Sequence, residues 1–149
     1  MPGRTRNVPF EAYIDEANDI LVGRGTGLVT TDEILAAYDP LMRATDGLAL
    51  AKNILSVYDP SCVLTQLDKS SMMRFKAQID AWRILNPAAP GRTAMVAPTR
   101  LHIALANLWR ALVEADPQLK REVRVFPDEA EALAWLNGAR PLNRGDRRT

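Results

Sequence analysis

The sequence predicts an α/β protein: a mixed five-stranded sheet with about four helices in the order ββαβαβαβα. Two observations carry that reading. In the closing third, short apolar runs at 93–96 and 123–126 alternate with helical patterns at 100–115 and 128–137. Strands that alternate with helices imply crossover units and a largely parallel sheet. Near the start, Phe10, Ala12 and Ile14 alternate with Glu11, Tyr13 and Asp15, and a second apolar run at 20–27 returns after a polar turn at 15–18. Period-two alternation marks half-buried strands, here an antiparallel hairpin at one edge of the sheet.

The remaining elements follow in order. Thr30-Thr31-Asp32-Glu33 is a capping box, in which the Thr30 hydroxyl accepts from the Glu33 amide and Glu33 reaches back. The helix that follows sets Ile34, Leu35, Tyr38, Leu41 and Met42 on one side, and Pro40 is expected to bend or interrupt it. Residues 53–58 form a β-rich run suited to the central strand. Asp68 or Ser70 caps the second helix, whose core face is Met72, Phe75, Ile79 and Trp82. Two prolines and a glycine within 86–91 stop it. On the third helix Leu101, Leu105, Leu108 and Leu112 form the expected inward stripe, with His102, Ala106, Trp109 and Val113 beside it. Asp128 with Glu131 repeats the capping box, and Gly138 is the expected C-cap of the last helix.

Composition bounds the function classes. The 149 residues are enough for one domain, 10–138, with a sizeable core. No apolar run approaches the ~20 residues a membrane span needs, and the segment 1–9, expected to be flexible, lacks the apolar stretch of a signal peptide. The single cysteine, Cys62, excludes an internal disulfide framework and fits a reducing cytoplasm. Net charge is +1, but residues 140–149 carry +3 and the remainder −2. The tail, 139–149, reads as disordered and basic, and a slightly acidic body argues against a nucleic-acid face.

Three stretches sharpen the fold reading: the strand-turn-helix at 123–136, the run Gly27-Leu28-Val29-Thr30-Thr31-Asp32-Glu33-Ile34, and Thr93-Ala94-Met95-Val96-Ala97-Pro98. In this order they resemble the SpoIIAA-like branch of the STAS family over residues 10–136. The resemblance implies a small cytoplasmic regulatory or ligand-binding module, without catalysis and without cofactor, that acts by docking a protein partner or by self-association. In such proteins a serine in an Asp-Ser-Ser-Gly-like turn at the start of the second helix is phosphorylated. The equivalent here is Asp68-Lys69-Ser70-Ser71-Met72, which makes Ser70 and Ser71 the regulatory candidates. It differs by the intervening Lys69 and the missing glycine. The third strand ends Ser56-Val57-Tyr58-Asp59, where that branch carries an acidic Asp-Leu-Arg.

The chemistry-bearing residues have plain structural readings beside the functional ones. Ser70 and Ser71 stand where free amides and the helix dipole favour an anion, yet serine is also an ordinary cap. Cys62 follows the third strand and His102 opens the third helix, so the topology brings both to the carboxyl edge where α/β ligands bind. A thiol enzyme requires the two within hydrogen-bond reach, whereas a buried structural thiol requires only packing. The glycines of Gly23-Arg24-Gly25-Thr26-Gly27 fail the dinucleotide spacing and fit close packing in a strand. One histidine and one cysteine cannot hold a structural zinc. The apolar face of the third helix is wide, which fits a deep core, a dimer contact or a pocket. The alternative to a partner module is therefore a binding protein for a small apolar ligand under the second and third helices, lined by Tyr58, Phe75, His102 and Trp109.

Overall fold

The computed structural model describes residues 8–83 and 91–138. The tail at 139–149, most of the N-terminal segment and the proline-rich stop after the second helix lie outside the described residues. Ten elements follow one another: β1 (Phe10–Asp15), β2 (Ile20–Gly25), α1 (Thr31–Thr45), a 3-10 turn (Leu48–Ala51), β3 (Asn53–Tyr58), α2 (Lys69–Arg83), β4 (Gly91–Val96), α3 (Arg100–Glu114), β5 (Arg121–Phe126) and α4 (Glu129–Gly138). The sheet runs β1-β2-β3-β4-β5 in sequence order, with β1 antiparallel to β2 and every other pair parallel.

This order follows from chain mechanics. Each crossover in a parallel sheet keeps one hand, so a sheet that grows in one direction sets its crossover helices on one face. α1, α2 and α3 share that face with Phe10, Leu21, Met95 and Val123. α4, which joins no two strands among the described residues, covers the other face through Ala132 and Leu136 against Ile20, Val22, Leu55, Ala94 and Val96. The Arg24 guanidinium fastens α4 to the sheet. It donates to both Glu129 carboxylate oxygens at 2.9 and 2.6 Å and to the Tyr13 hydroxyl at 2.8 Å. Such a two-point ion pair is geometrically specific and holds the Glu129 carboxyl below its usual range. Trp135 adds a second tie, with Arg92 and Arg124 at 4.9 and 5.0 Å from its ring.

The Thr30 capping box forms, with the Glu33 amide donating to Thr30 Oγ1 at 3.3 Å and the Thr30 amide to Glu33 Oε1 at 3.1 Å. α1 nevertheless runs through Pro40 to Thr45, so of the expected bend or interruption the second does not occur. The amide that Pro40 lacks would bond the Ala36 carbonyl, and both residues are exposed, so that carbonyl is open to solvent rather than stranded in the core. α3 also corrects an expectation. Its buried residues are His102, Ala106 and Val113, while Leu101 is 53% exposed. The tether from His102 Nε2 to the Cys62 carbonyl, 3.0 Å, turns that stripe inward and the leucine stripe to the flank. α4 extends to Gly138, which therefore lies in its last turn rather than beyond it.

The centre of the three-helix face is thinly furnished. Register places Ala12, Gly23, Ser56, Met95 and Val125 in one row across the sheet, three of the five being small. α1 packs on β1 and α3 on β5, while α2 packs on α1 and α3 and hardly on the strands. α2 thus roofs the small-residue row without filling it. Part of the space above Gly23 is taken by neighbours: a Cβ there would stand 2.3 Å from the Tyr38 hydroxyl and 2.7 Å from Phe10 Cζ. We predict that Gly23→Ala lowers stability by about 1–3 kcal/mol, the range for overpacking a filled site, and that adding Tyr38→Phe recovers part of the loss. Denaturant unfolding of the single and double variants measures both, and a neutral Gly23→Ala contradicts this packing.

Candidate functional site

Beneath α2 lie two adjoining chambers. The first, about 80 Å³, has Leu21, Ile54, Ile79, Trp82, Val113 and Leu119 among its walls, with Lys76, Arg83 and Arg121 beside them. The second, about 60 Å³, reaches Ile34, Tyr58, Leu64, Met72, His102 and Ala106. Tyr38, Ser56, Phe75 and Trp109 border both. A void persists here because Ser56, beside Gly23 in register, is too short to reach α2.

An aromatic chain frames the waist between the chambers. Phe10 and Tyr38 rings are 5.6 Å apart, Tyr38 and Phe75 are stacked at 6.1 Å, and Phe75 meets Trp109 at 5.3 Å. These rings come from β1, α1, α2 and α3, so the waist is where four elements lock together. Burial pushes the Tyr58 hydroxyl up to about 12 and Tyr38 higher still, so both stay neutral donors at physiological pH.

The four expected pocket residues, Tyr58, Phe75, His102 and Trp109, all border the second chamber. His102 is held at both ends of its residue: its amide donates to the Thr99 cap at 3.2 Å, and its ring Nε2 donates to the Cys62 carbonyl. Nδ1 is buried and has no hydrogen-bond partner among the described residues. In the neutral ring it is a bare acceptor, an arrangement that costs energy unless something donates to it.

Cys62 and His102 therefore do meet, but through the Cys62 carbonyl. The sulfur lies toward Gly25, whose Cβ position is 3.2 Å from it, and burial pushes the thiol up to about 11, with the Asp59 carboxylate adding to the effect. A thiol is not a nucleophile until it ionises. The glycines of the 23–27 run are likewise spent on packing at Gly23 and Gly25 and on a left-handed turn at Gly27, φ 67°.

Ser70 and Ser71 stand at the other end of the roof, in the first turn of α2. Ser71 exchanges bonds with Asp68: its amide donates to Asp68 Oδ1 at 2.9 Å, and the Asp68 amide donates to Ser71 Oγ at 2.9 Å. Asp68 is thus the cap and Ser71 its partner, whereas Ser70 is exposed. A phosphate on Ser71 would displace this exchange and face the Asp68 carboxylate; one on Ser70 meets the helix dipole alone.

The sequence reading did not include Tyr38, Ser56, Lys76, Arg83 or Arg121 in the site. Tyr38 and Ser56 carried no signal, because a tyrosine on an α1 core stripe and a serine in a strand are ordinary. Arg121 carried none either, because its burial comes from the register that sets it beside Gly91. Among the described residues no cluster of three or more His, Cys, Asp or Glu could hold a metal ion, and no helix is long and apolar enough to cross a membrane. Compared with family models, with curated proteins and with solved structures, the chain matches none.

Two outcomes are expected. Cys62 in the folded protein reacts slowly with iodoacetamide at about pH 8 and accelerates only as pH approaches about 11; a rate already at plateau near pH 8 would show a thiolate. Because the folded thiol holds its proton above the ordinary value of 9.0, its linkage term lowers stability as pH rises from about 9 to about 11. Separately, Asp68→Ala removes the α2 cap and costs about 1 kcal/mol, read as a shift in urea midpoint with unchanged slope. An unchanged midpoint contradicts the cap.

Proposed function

We propose that this protein is a non-catalytic STAS-like regulatory module whose input is a small, mostly apolar ligand held between α2, α3 and the sheet. The observation that carries the reading is the pair of chambers walled by Ile79, Trp82, Phe75 and Trp109, which close-packed side chains would otherwise eliminate. Their size argues for a small occupant. Each chamber is below the ~150 Å³ of an apolar cavity that admits benzene, and only the two joined across the waist reach that order. The element order ββαβαβαβα on a mixed five-stranded sheet accords with the STAS resemblance.

α2 is the element that responds. It rests on two helices and little sheet, so a ligand that fills the space below gives it the apolar contacts it lacks. Its first turn carries Ser70, the exposed serine to which a phosphate adds least strain. A second reading, docking of a protein partner or a second copy, is favoured by the exposed Leu28, Val63, Met73, Leu101 and Ile103, which belong to segments at the carboxyl edge of the parallel strands.

The test uses n-butylbenzene as a neutral apolar probe. Binding to the folded state raises the melting temperature by a few degrees at saturation, on the order expected for a ligand well above its Kd. Ser56→Leu, which fills the centre of the row, keeps the fold and abolishes the shift. A wild-type protein whose melting temperature ignores the probe overturns the reading.

A further inference from the structure

The first chamber is apolar except at one end, and the polar groups there are unevenly matched. Arg121 opens β5 and crosses the start of β4, where a Cβ on Gly91 would lie 2.6 Å from its Nη1. Its guanidinium donates to the Lys52 carbonyl at 2.7 Å, to the Arg92 carbonyl at 3.3 Å and to the Leu50 carbonyl. No carboxylate pairs with it among the described residues. Burial, and after it the Arg83 cation, pull Arg121 down to about 10. Arg83 is itself incompletely served. Its Nη2 pairs with Asp80, but its Nε is buried with no acceptor among the described residues. Lys76 is satisfied by Asp116 at 2.8 Å and Asp80 at 3.3 Å.

The local count is therefore Lys76, Arg83 and Arg121 against Asp80 and Asp116, an excess of one positive charge beside an apolar void. Burying an unpaired cation and an unpaired N–H is costly, and the cost falls if an anion enters. A guanidinium fork matches the planar geometry of a carboxylate. One excess charge matches a monoanion better than a phosphate dianion, and the joined chambers leave room for a short body only.

Resting on the ligand-binding reading above, we propose that the ligand is a small apolar carboxylic acid whose carboxylate sits against Arg83 and Arg121. Its body passes the Phe75–Trp109 waist toward the chamber of His102. The acid can carry an acyl chain or a ring; both present the same head and differ only in the body.

Calorimetric titration of the full chain with octanoate, octan-1-ol and 3-phenylpropanoate decides this. Octanoate is expected to bind at least tenfold tighter than octanol, and Arg121→Gln to remove that advantage while leaving octanol binding unchanged. Should Arg121→Gln fail to fold, Arg83→Gln, near the end of α2, is expected to lower octanoate affinity several-fold. The tighter of octanoate and 3-phenylpropanoate identifies the body as chain or ring. Octanol binding as well as octanoate in the wild type overturns the acid assignment and leaves the cavity reading standing. Octanoate affinity untouched in both arginine variants also overturns the acid assignment alone. Failure of all three probes overturns both.

Discussion

The packing of the three-helix face depends on one constraint, the smallness of the row Ala12–Gly23–Ser56 across the middle of the sheet. Helices that follow parallel strands sit about one helix diameter apart, and large side chains on the strands normally fill the space between them. Here α1 is anchored on β1 and α3 on β5, and the strand residues between them are too short to reach the roof. The aromatic residues compensate from the helix side. Phe75 and Trp109 lean across the gap and Tyr38 reaches down to Gly23, which leaves two chambers in place of one large void.

The two faces of the sheet differ in how completely their polar groups are matched. The α4 face is close-packed and riveted by the Arg24–Glu129 pair and the arginine-flanked Trp135. Arg24, Arg92 and Arg124 there each pair with a glutamate. On the opposite face, the Arg83–Arg121 corner and His102 Nδ1 have polar groups left without acceptor or donor. Proteins normally satisfy buried polar groups, so the unsatisfied ones stand out as exceptions. Both deficits border the chambers under α2, and neither lies beneath α4.

Much of the scaffold was legible in the sequence because it rests on local periodicity. The hairpin bounds Phe10–Asp15, the central strand Asn53–Tyr58 and the Thr30 box all follow from patterns a few residues long. The rotation of α3 was not legible. Leu101, Leu105, Leu108 and Leu112 make the more hydrophobic stripe, whereas the buried one is held by contacts distant in sequence, His102 to Cys62 and Ala106 and Val113 against Met95 and Val123. Whether Pro40 would interrupt α1 was not legible for the related reason that its cost depends on whether Ala36 is exposed. Of the site, the aromatic residues were legible as an over-wide apolar face. Ser56, Gly23 and Arg121 were not, because their meaning comes from register between strands far apart in the chain.

The sheet order β1-β2-β3-β4-β5 also bears on how the chain is made. Each strand pairs with its predecessor in sequence, so the sheet can lengthen by one strand as each unit leaves the ribosome, with no wait for a distant partner. The exception is the face that α4 covers. Val22, Leu55, Ala94 and Val96 are all synthesised before the helix that shields them. During that interval the nascent chain presents one finished face and one bare apolar face. The Arg24 side chain, already displayed at the edge of the bare face, marks where Glu129 must land.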